Sequence, residues 1–226
     1  MNEGLQSPLI HRRSKSTLAE NEGEQSWFQR VRTSHNLVIA MVSLALFSDM
    51  VLYDVIVPLL PALLRKAGQS EAMIGPLFAV YSVGYLVFTP LFGVWSDRLH
   101  NRRTPLLWGQ VGMLLASLLF AMAGRSFMAL MLARLLQGVA AACSWTLGLA
   151  LLADVFGEDG MGQAMGIVFG CNTLGYFVGP LLGGILGETV SLEMPFWVCV
   201  CLAALDLACR WLCKPPESSE TPMSPQ

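Results

Sequence analysis

Six apolar stretches alternate with short polar ones along the middle of the chain. They run over residues 36–62, 73–95, 104–123, 127–151, 163–187 and 194–213. About 20 mostly apolar residues suffice for an α-helix to cross the hydrocarbon core of a bilayer. The pattern therefore predicts six membrane-spanning helices. Lipid offers no partner to an unpaired backbone N–H or C=O, so an all-helical bundle is the expected form. The joining segments are short, and sequence neighbours are expected to run antiparallel and pack on one another. The fold class is an all-α membrane protein, a six-transmembrane-helix bundle over residues 36–213. The flanks, residues 1–35 and 214–226, have too little apolar surface to form a core and predict disordered tails.

Composition agrees with a chain whose solvent is lipid. Apolar residues make up 54% and charged residues 13%, about half the charged share of soluble domains. A net charge of −2 suggests no nucleic-acid partner. Residues 1–20 lack the continuous apolar run of a signal peptide, and no glycosylation sequon occurs. Cys143, Cys171, Cys199, Cys201, Cys209 and Cys213 all lie in or beside apolar stretches, none at metal-ligand spacing with His. Thiols in such places behave as small hydrophobes; neither a disulfide framework nor a metal site is expected. No nucleotide-binding glycine loop, His cluster or nucleophile with a base is present, so no enzyme and no cofactor is expected. Arg12, Arg13, Ser14, Lys15 and Ser16 read either as a kinase site or as a solvated flank.

Orientation follows from the basic residues. Ten of the fourteen Lys and Arg fall on one side: Arg12, Arg13, Lys15, Arg30, Arg32, Arg98, Arg102, Arg103, Arg210 and Lys214. Only Arg65, Lys66 and Arg125 fall on the other. The positive-inside rule then places the N-terminus in the cytosol. It leaves open whether the membrane is the plasma membrane or that of a vesicle or vacuole.

Polar residues inside the spans are costly and usually functional. Asp49, near the middle of span one, reads as a cation or proton site or as a carboxylate satisfied by a neighbouring helix. Asp54 follows five residues later and points about 140° away, so the two cannot share one site on a straight helix. Asp54 is placed nearer the outer surface, toward a vestibule. Pro58 and Pro61 are expected to bend or end this helix. Arg134 opens a stripe with Gly138, Ala141, Trp145 and Gly148, which suits a cavity lining or a helix contact equally. Asp206 and Arg210, four residues apart, are expected to pair locally.

Span five carries two glycine runs at four-residue spacing: Gly162, Gly166 and Gly170, then Gly175, Gly179, Gly183 and Gly187. Such spacing makes a flat face for close helix approach, and Pro180 favours a kink. Asn172, between the runs, is expected to face a cavity. In the segment Gly93 to Arg103, Asp97 sits among Arg98, Arg102 and Arg103. This is either an ordinary basic loop or an ion-pair network that locks the helix ends in one state.

Together these residues resemble the major facilitator superfamily, in its drug:proton antiporter branch. The family loop motif G-x-x-x-D-R looks like Gly93 to Arg103, with His100 and Asn101 where a second glycine is usual. The span-four motif R-x-x-Q-G-x-x-A looks like Arg134, Gln137, Gly138 and Ala141. The antiporter motif G-x8-G-x3-G-P-x2-G-G matches Gly166, Gly175, Gly179, Pro180, Gly183 and Gly184. Asp49 through Pro61 is similar to span one of vesicular amine transporters, although Asp54 stands where those carriers have an uncharged residue.

The resemblance implies transport of small organic solutes, cationic ones among the candidates, by proton-coupled antiport, with no cofactor. It implies substrate and proton binding at Asp49, Arg134, Asn172 and Trp145, and gating by Gly93, Asp97, Arg98 and Arg102. The glycines of span five would shape antiporter packing. Family members have twelve spans in two halves with the substrate between them, and this chain corresponds to the first half. Expected partners are a small-molecule substrate, protons, the bilayer and a second six-helix half or another carrier chain. A truncated or isoform product without transport of its own, or a membrane interaction subunit, is the alternative reading. A homodimer and a six-helix channel rank below both.

Overall fold

A computed structural model describes residues 35–98 and 103–212, and for His35, Arg103 and residues 157–159 their backbone only. The predicted tails lie outside these residues apart from His35, as do Cys213, Lys214, the Arg12–Ser16 segment and the loop positions His100, Asn101 and Arg102. The described residues contain helices and turns and no strand. In chain order they form α1 (His35–Val55), α2 (Leu60–Lys66), a short 3-10 turn (Glu71–Met73), α3 (Ile74–Asp97) and α4 (Arg103–Met122). A helical run from Phe127 to Thr189 follows, and α7 (Met194–Leu212) closes the order.

The first predicted span is two helices. The chain turns between Val55 and Leu60, and Pro61 occupies the first turn of α2. Proline tolerates that position because its missing N–H would be unpaired there anyway. The next reversal uses Gly68 at φ 70°, a left-handed conformation that suits glycine best. Gly124, at φ 57°, does the same between α4 and the long helical run. Ser126 then caps that run by accepting a hydrogen bond from the Ala129 N–H at 3.3 Å.

Helical hydrogen bonding continues for 63 residues from Phe127 to Thr189. Straight, such a helix would be about 95 Å long, three times a hydrocarbon core. Its contacts show that it doubles back. Along α1, Val42, Asp49 and Tyr53 meet Gly148, Trp145 and Arg134, so this arm runs antiparallel to α1. Met50, Val51 and Val55 meet Gly175, Gly179 and Gly183, so the later arm runs parallel to it. Leu147, Leu151 and Leu152 share a buried cluster with Ala164 and Val168 across the reversal. The two arms are the spans Phe127–Phe156 (α5) and Gly160–Thr189 (α6). With these, six helices among the described residues are long and apolar enough to cross a membrane.

Sequence neighbours do not all pack together as expected. α3 and α4 each lie along the α5–α6 run and barely touch one another, while α1 and α3 meet through the rings of Tyr53, Phe78 and Tyr81. The α5–α6 run is the hub because small residues line it. A side chain at Gly138 would collide with the Tyr81 carbonyl of α3. Gly112 of α4 sits over Ala140, where an added Cβ would lie 3.3 Å away. Backbones meet directly at these points, and the contact goes to whichever helix has room rather than to the next one in sequence. α7 completes the bundle against α4, with Phe120 and Phe196 stacked at 5.3 Å. Just before α7, Glu193 forms an ion pair with Lys66 of α2.

Candidate functional site

Asp49 is carried by the middle of α1 and is 1% exposed. Its Oδ2 accepts a hydrogen bond from Trp145 Nε1 of α5 at 2.7 Å, while Oδ1 has no partner among the described residues. A carboxylate in an apolar bundle needs such a donor, since an unsatisfied buried polar group is costly. Asp54 faces a different helix, in keeping with the angular separation on α1. It is not in a vestibule: it is 9% exposed and packs against Gly179 of α6, where an added Cβ would lie 2.8 Å from its own. The glycine lets α6 approach so closely that it covers this carboxylate.

Arg134 is fully buried. Its Nη1 donates to Gln137 Oε1 at 2.8 Å and its Nη2 to the Tyr53 carbonyl at 3.5 Å. Around the guanidinium lie the rings of Phe78, Tyr53, Phe120 and Tyr81, at 5.0, 5.3, 5.8 and 5.9 Å. Among the described residues it makes no ion pair. Ring faces attract a cation within about 6 Å, and the attraction grows when water is excluded. The stripe predicted from Arg134 divides accordingly: Gly138, Ala141 and Gly148 are helix contacts, and Trp145 alone opens on a cavity.

That cavity has a volume of about 280 Å³ and is lined by Met50, Tyr53, Tyr81, Tyr85, Trp145 and Tyr176. All four tyrosines of the chain line it. They come from α1, α3 and α6. Tyr53 and Tyr81 lie 4.7 Å apart, and Tyr81 stacks with Tyr85 at 6.2 Å. Asp49 sits behind Trp145, and Arg134 behind Tyr53 and Tyr81. A carboxylate and a guanidinium thus flank one aromatic chamber, each screened from it by rings. Such a chamber can hold an organic solute on ring faces with a charged group on either side.

Sequence reasoning missed the tyrosines. A signal was available: tyrosine usually sits at the membrane–water interface, yet Tyr53, Tyr81, Tyr85 and Tyr176 all fall within predicted spans, two of them one helical turn apart.

The other predicted residues divide. Asn172 is 7% exposed, its Oδ1 without a partner among the described residues, and it does not line the chamber. Gly175, Gly179 and Gly183 press on α1, whereas a side chain at Gly166 or Gly184 would meet nothing within 4 Å. The first glycine run, Gly162, Gly166 and Gly170, is equally open, so the close approach expected there does not occur among the described residues. Pro180 leaves α6 helical on both sides. Gly93 is open, and Asp97 and Arg98 are exposed at the end of α3. Their suggested network with Arg102 lies outside the described residues. Arg210 pairs with Asp206 as expected, Nε to Oδ2 at 3.3 Å, and both are buried.

The model of the Major Facilitator Superfamily matches residues 42–226. An uncharacterized MFS-type transporter of Schizosaccharomyces pombe is 37% identical over 195 residues, covering 84% of this chain and 43% of that protein. A probable vesicular acetylcholine transporter of Danio rerio is 39% identical, over 74% of this chain and 36% of that one. The class E tetracycline resistance protein of Escherichia coli is 34% identical, over 71% and 40%. Among solved structures, the human organic anion transporter MFSD10 superposes with a TM-score of 0.69 at 26% identity, over 82% of this chain and 48% of that one. The chain spans less than half the length of these relatives. It is an integral, multi-pass membrane protein with the six-helix fold of one transporter half, and it belongs to the major facilitator superfamily.

Proposed function

We propose that this chain forms the N-terminal half of a proton-coupled antiporter for small organic solutes carrying a cationic group. The observation that carries the reading is the chamber of four tyrosines and Trp145 with the Asp49 carboxylate bonded directly behind it. Ring faces favour a cation, and an anionic carboxylate adds to that preference. A carboxylate in an apolar bundle also serves as a site that exchanges a proton for a cationic solute. The relatives support transport as the general activity: one bears the name of an acetylcholine transporter and another that of a tetracycline resistance protein.

In this reading Asp49 holds proton or cation in turn and Trp145 positions it. Arg134, held in its ring cage beside the same chamber, supports proton coupling. Asn172 supplies an unpaired amide oxygen near the α1–α6 contact. Gly175, Gly179 and Gly183 set the distance between α1 and α6. Gly93, Asp97, Arg98 and Arg102 gate the end of the bundle where the basic residues cluster, which faces the cytosol together with the N-terminus. A second six-helix half supplies the opposite wall of the chamber.

The test is pH-gradient-driven uptake of an organic cation into vesicles holding this chain assembled with a second half. Asp49→Asn keeps the shape and removes the titrating charge. Uptake should be lost. Uptake by the variant at the unmodified rate removes Asp49 from the mechanism.

A further inference from the structure

A second recess lies far from the aromatic chamber. α3 and α4 are joined by a short segment, yet both lean on α5 and barely touch each other. Between them is a cleft of about 160 Å³. Phe92 and Trp95 of α3 form one wall. Trp108, Gly109 and Gly112 of α4 form the other, and Ala140 of α5 lies at the floor. From Tyr85 in the chamber to Trp95 in the cleft is about 15 Å along α3.

We infer that this cleft binds one acyl chain of a phospholipid with an anionic head group, the head group resting at Arg98. Three observations converge. First, among the described residues no charged side chain lines the cleft, which calls for an occupant that is apolar along its length. Its volume, little more than half that of the aromatic chamber, suits a slender chain better than a bulky ring system. α4 rests directly on α5 behind it: a Cβ on Gly109 would lie 2.9 Å from Cys143 Sγ. The cleft is therefore closed inward and opens only sideways.

Second, the opening is marked by two half-exposed or exposed indoles, Trp95 at 43% and Trp108 at 67%. Trp95 lies two residues before the end of α3, and Trp108 five residues after the start of α4. Tryptophan at span ends sits at head-group level, so the mouth of the cleft is at the depth where an acyl chain leaves its glycerol.

Third, a cation stands at that mouth. Arg98, exposed, follows Trp95 by three residues and so lies on the same side of α3. Basic residues beside a span attract anionic lipid, and an apolar slot with an arginine at its lip matches a chain and head group in one molecule.

The test uses the full chain in nanodiscs of neutral and anionic lipid. Phosphatidylglycerol and phosphatidylcholine, each with a photoreactive diazirine on one acyl chain, are crosslinked and the sites mapped by mass spectrometry. The phosphatidylglycerol probe should label around Trp95, Trp108 and Gly112 about fivefold more than the choline-headed probe, the factor for one surface cation. The exposed Phe177 of α6 should show no such preference. Gly112→Leu fills the cleft and should abolish its labelling. Trp108→Ala, a change at an exposed position that leaves the bundle folded, should weaken it. Arg98→Gln should reduce the head-group preference to that of the choline probe.

Equal labelling by the two probes overturns the anionic assignment, as does a preference that survives Arg98→Gln. Cleft labelling unchanged in Gly112→Leu overturns the site. Displacement of the phosphatidylglycerol probe by a sterol assigns the cleft to a different lipid and overturns the proposal.

Discussion

The two ends of α6 carry the same glycine spacing and meet different surroundings. Toward its C-terminal end, Gly175, Gly179 and Gly183 lie along α1 so closely that any side chain would strike it, and Gly187 lies against Leu59 just beyond it: a Cβ at Gly175 would fall 2.7 Å from that of Met50 and 2.9 Å from the Phe47 carbonyl. Toward its N-terminal end, Gly162, Gly166 and Gly170 face open space, with nothing within 4 Å. A four-residue glycine period therefore states where a backbone can be approached, and not whether anything approaches it. In lipid, helix association rests on packing rather than on escape from water, so only the helix that arrives determines what a glycine is worth.

Substitutions can break this contrast or sharpen it. Gly183→Leu should have the largest effect. The new side chain would meet the Val55 carbonyl and Pro58, and overpacking of this kind costs about 3 kcal/mol or more when backbone is in the way. We expect loss of the monodisperse folded species by fluorescence-detected size exclusion; a well-folded variant would show that α1 and α6 are not in contact there. Trp145→Phe keeps a ring in the chamber and removes the donor to Asp49. A hydrogen bond to a charged group contributes about 1.5–3 kcal/mol, so pH-driven uptake should fall roughly tenfold or more, with folding retained. Unaltered uptake would mean that Asp49 does not depend on Trp145.

Gly175→Ala sets a single methyl against the Met50 Cβ and the Phe47 carbonyl and should cost about 1–3 kcal/mol. A melting temperature in detergent, compared with the parent chain, reads this out. Gly166→Ala should have the smallest effect, a gain of up to about 1 kcal/mol from better helix propensity. A marked loss of stability at Gly166 would mean that the open face is covered in the molecule tested, and the contrast between the two ends would fail.

Much of the architecture was legible because it depends on local composition. Six apolar runs of sufficient length are spans wherever they sit, since the bilayer core sets the length and backbone hydrogen bonding sets the helix. Asp49 and Arg134 were legible for the same reason: a charge in an apolar run is conspicuous. The four tyrosines were harder to see because they lie on three separate spans and are ordinary apolar-compatible residues there. Only packing brings them to one chamber. The stripe from Arg134 shows the same limit. Its phasing allowed a cavity or a contact, and the structure makes Gly138 a contact with α3 and Trp145 a cavity wall.

The sequence by itself thus determined that the chain crosses a membrane six times, which residues are anomalous there, and which family its motifs resemble. Tertiary structure decided the rest: that α5 is the hub on which α3 and α4 lean apart, that Asp54 is buried by the approach of α6, and that Arg134 is held by rings in place of a carboxylate. The physical reason is the solvent. Lipid makes every span apolar whatever its neighbours are, so hydropathy says where helices are. Shape alone, glycine against backbone and ring against guanidinium, says which of them meet.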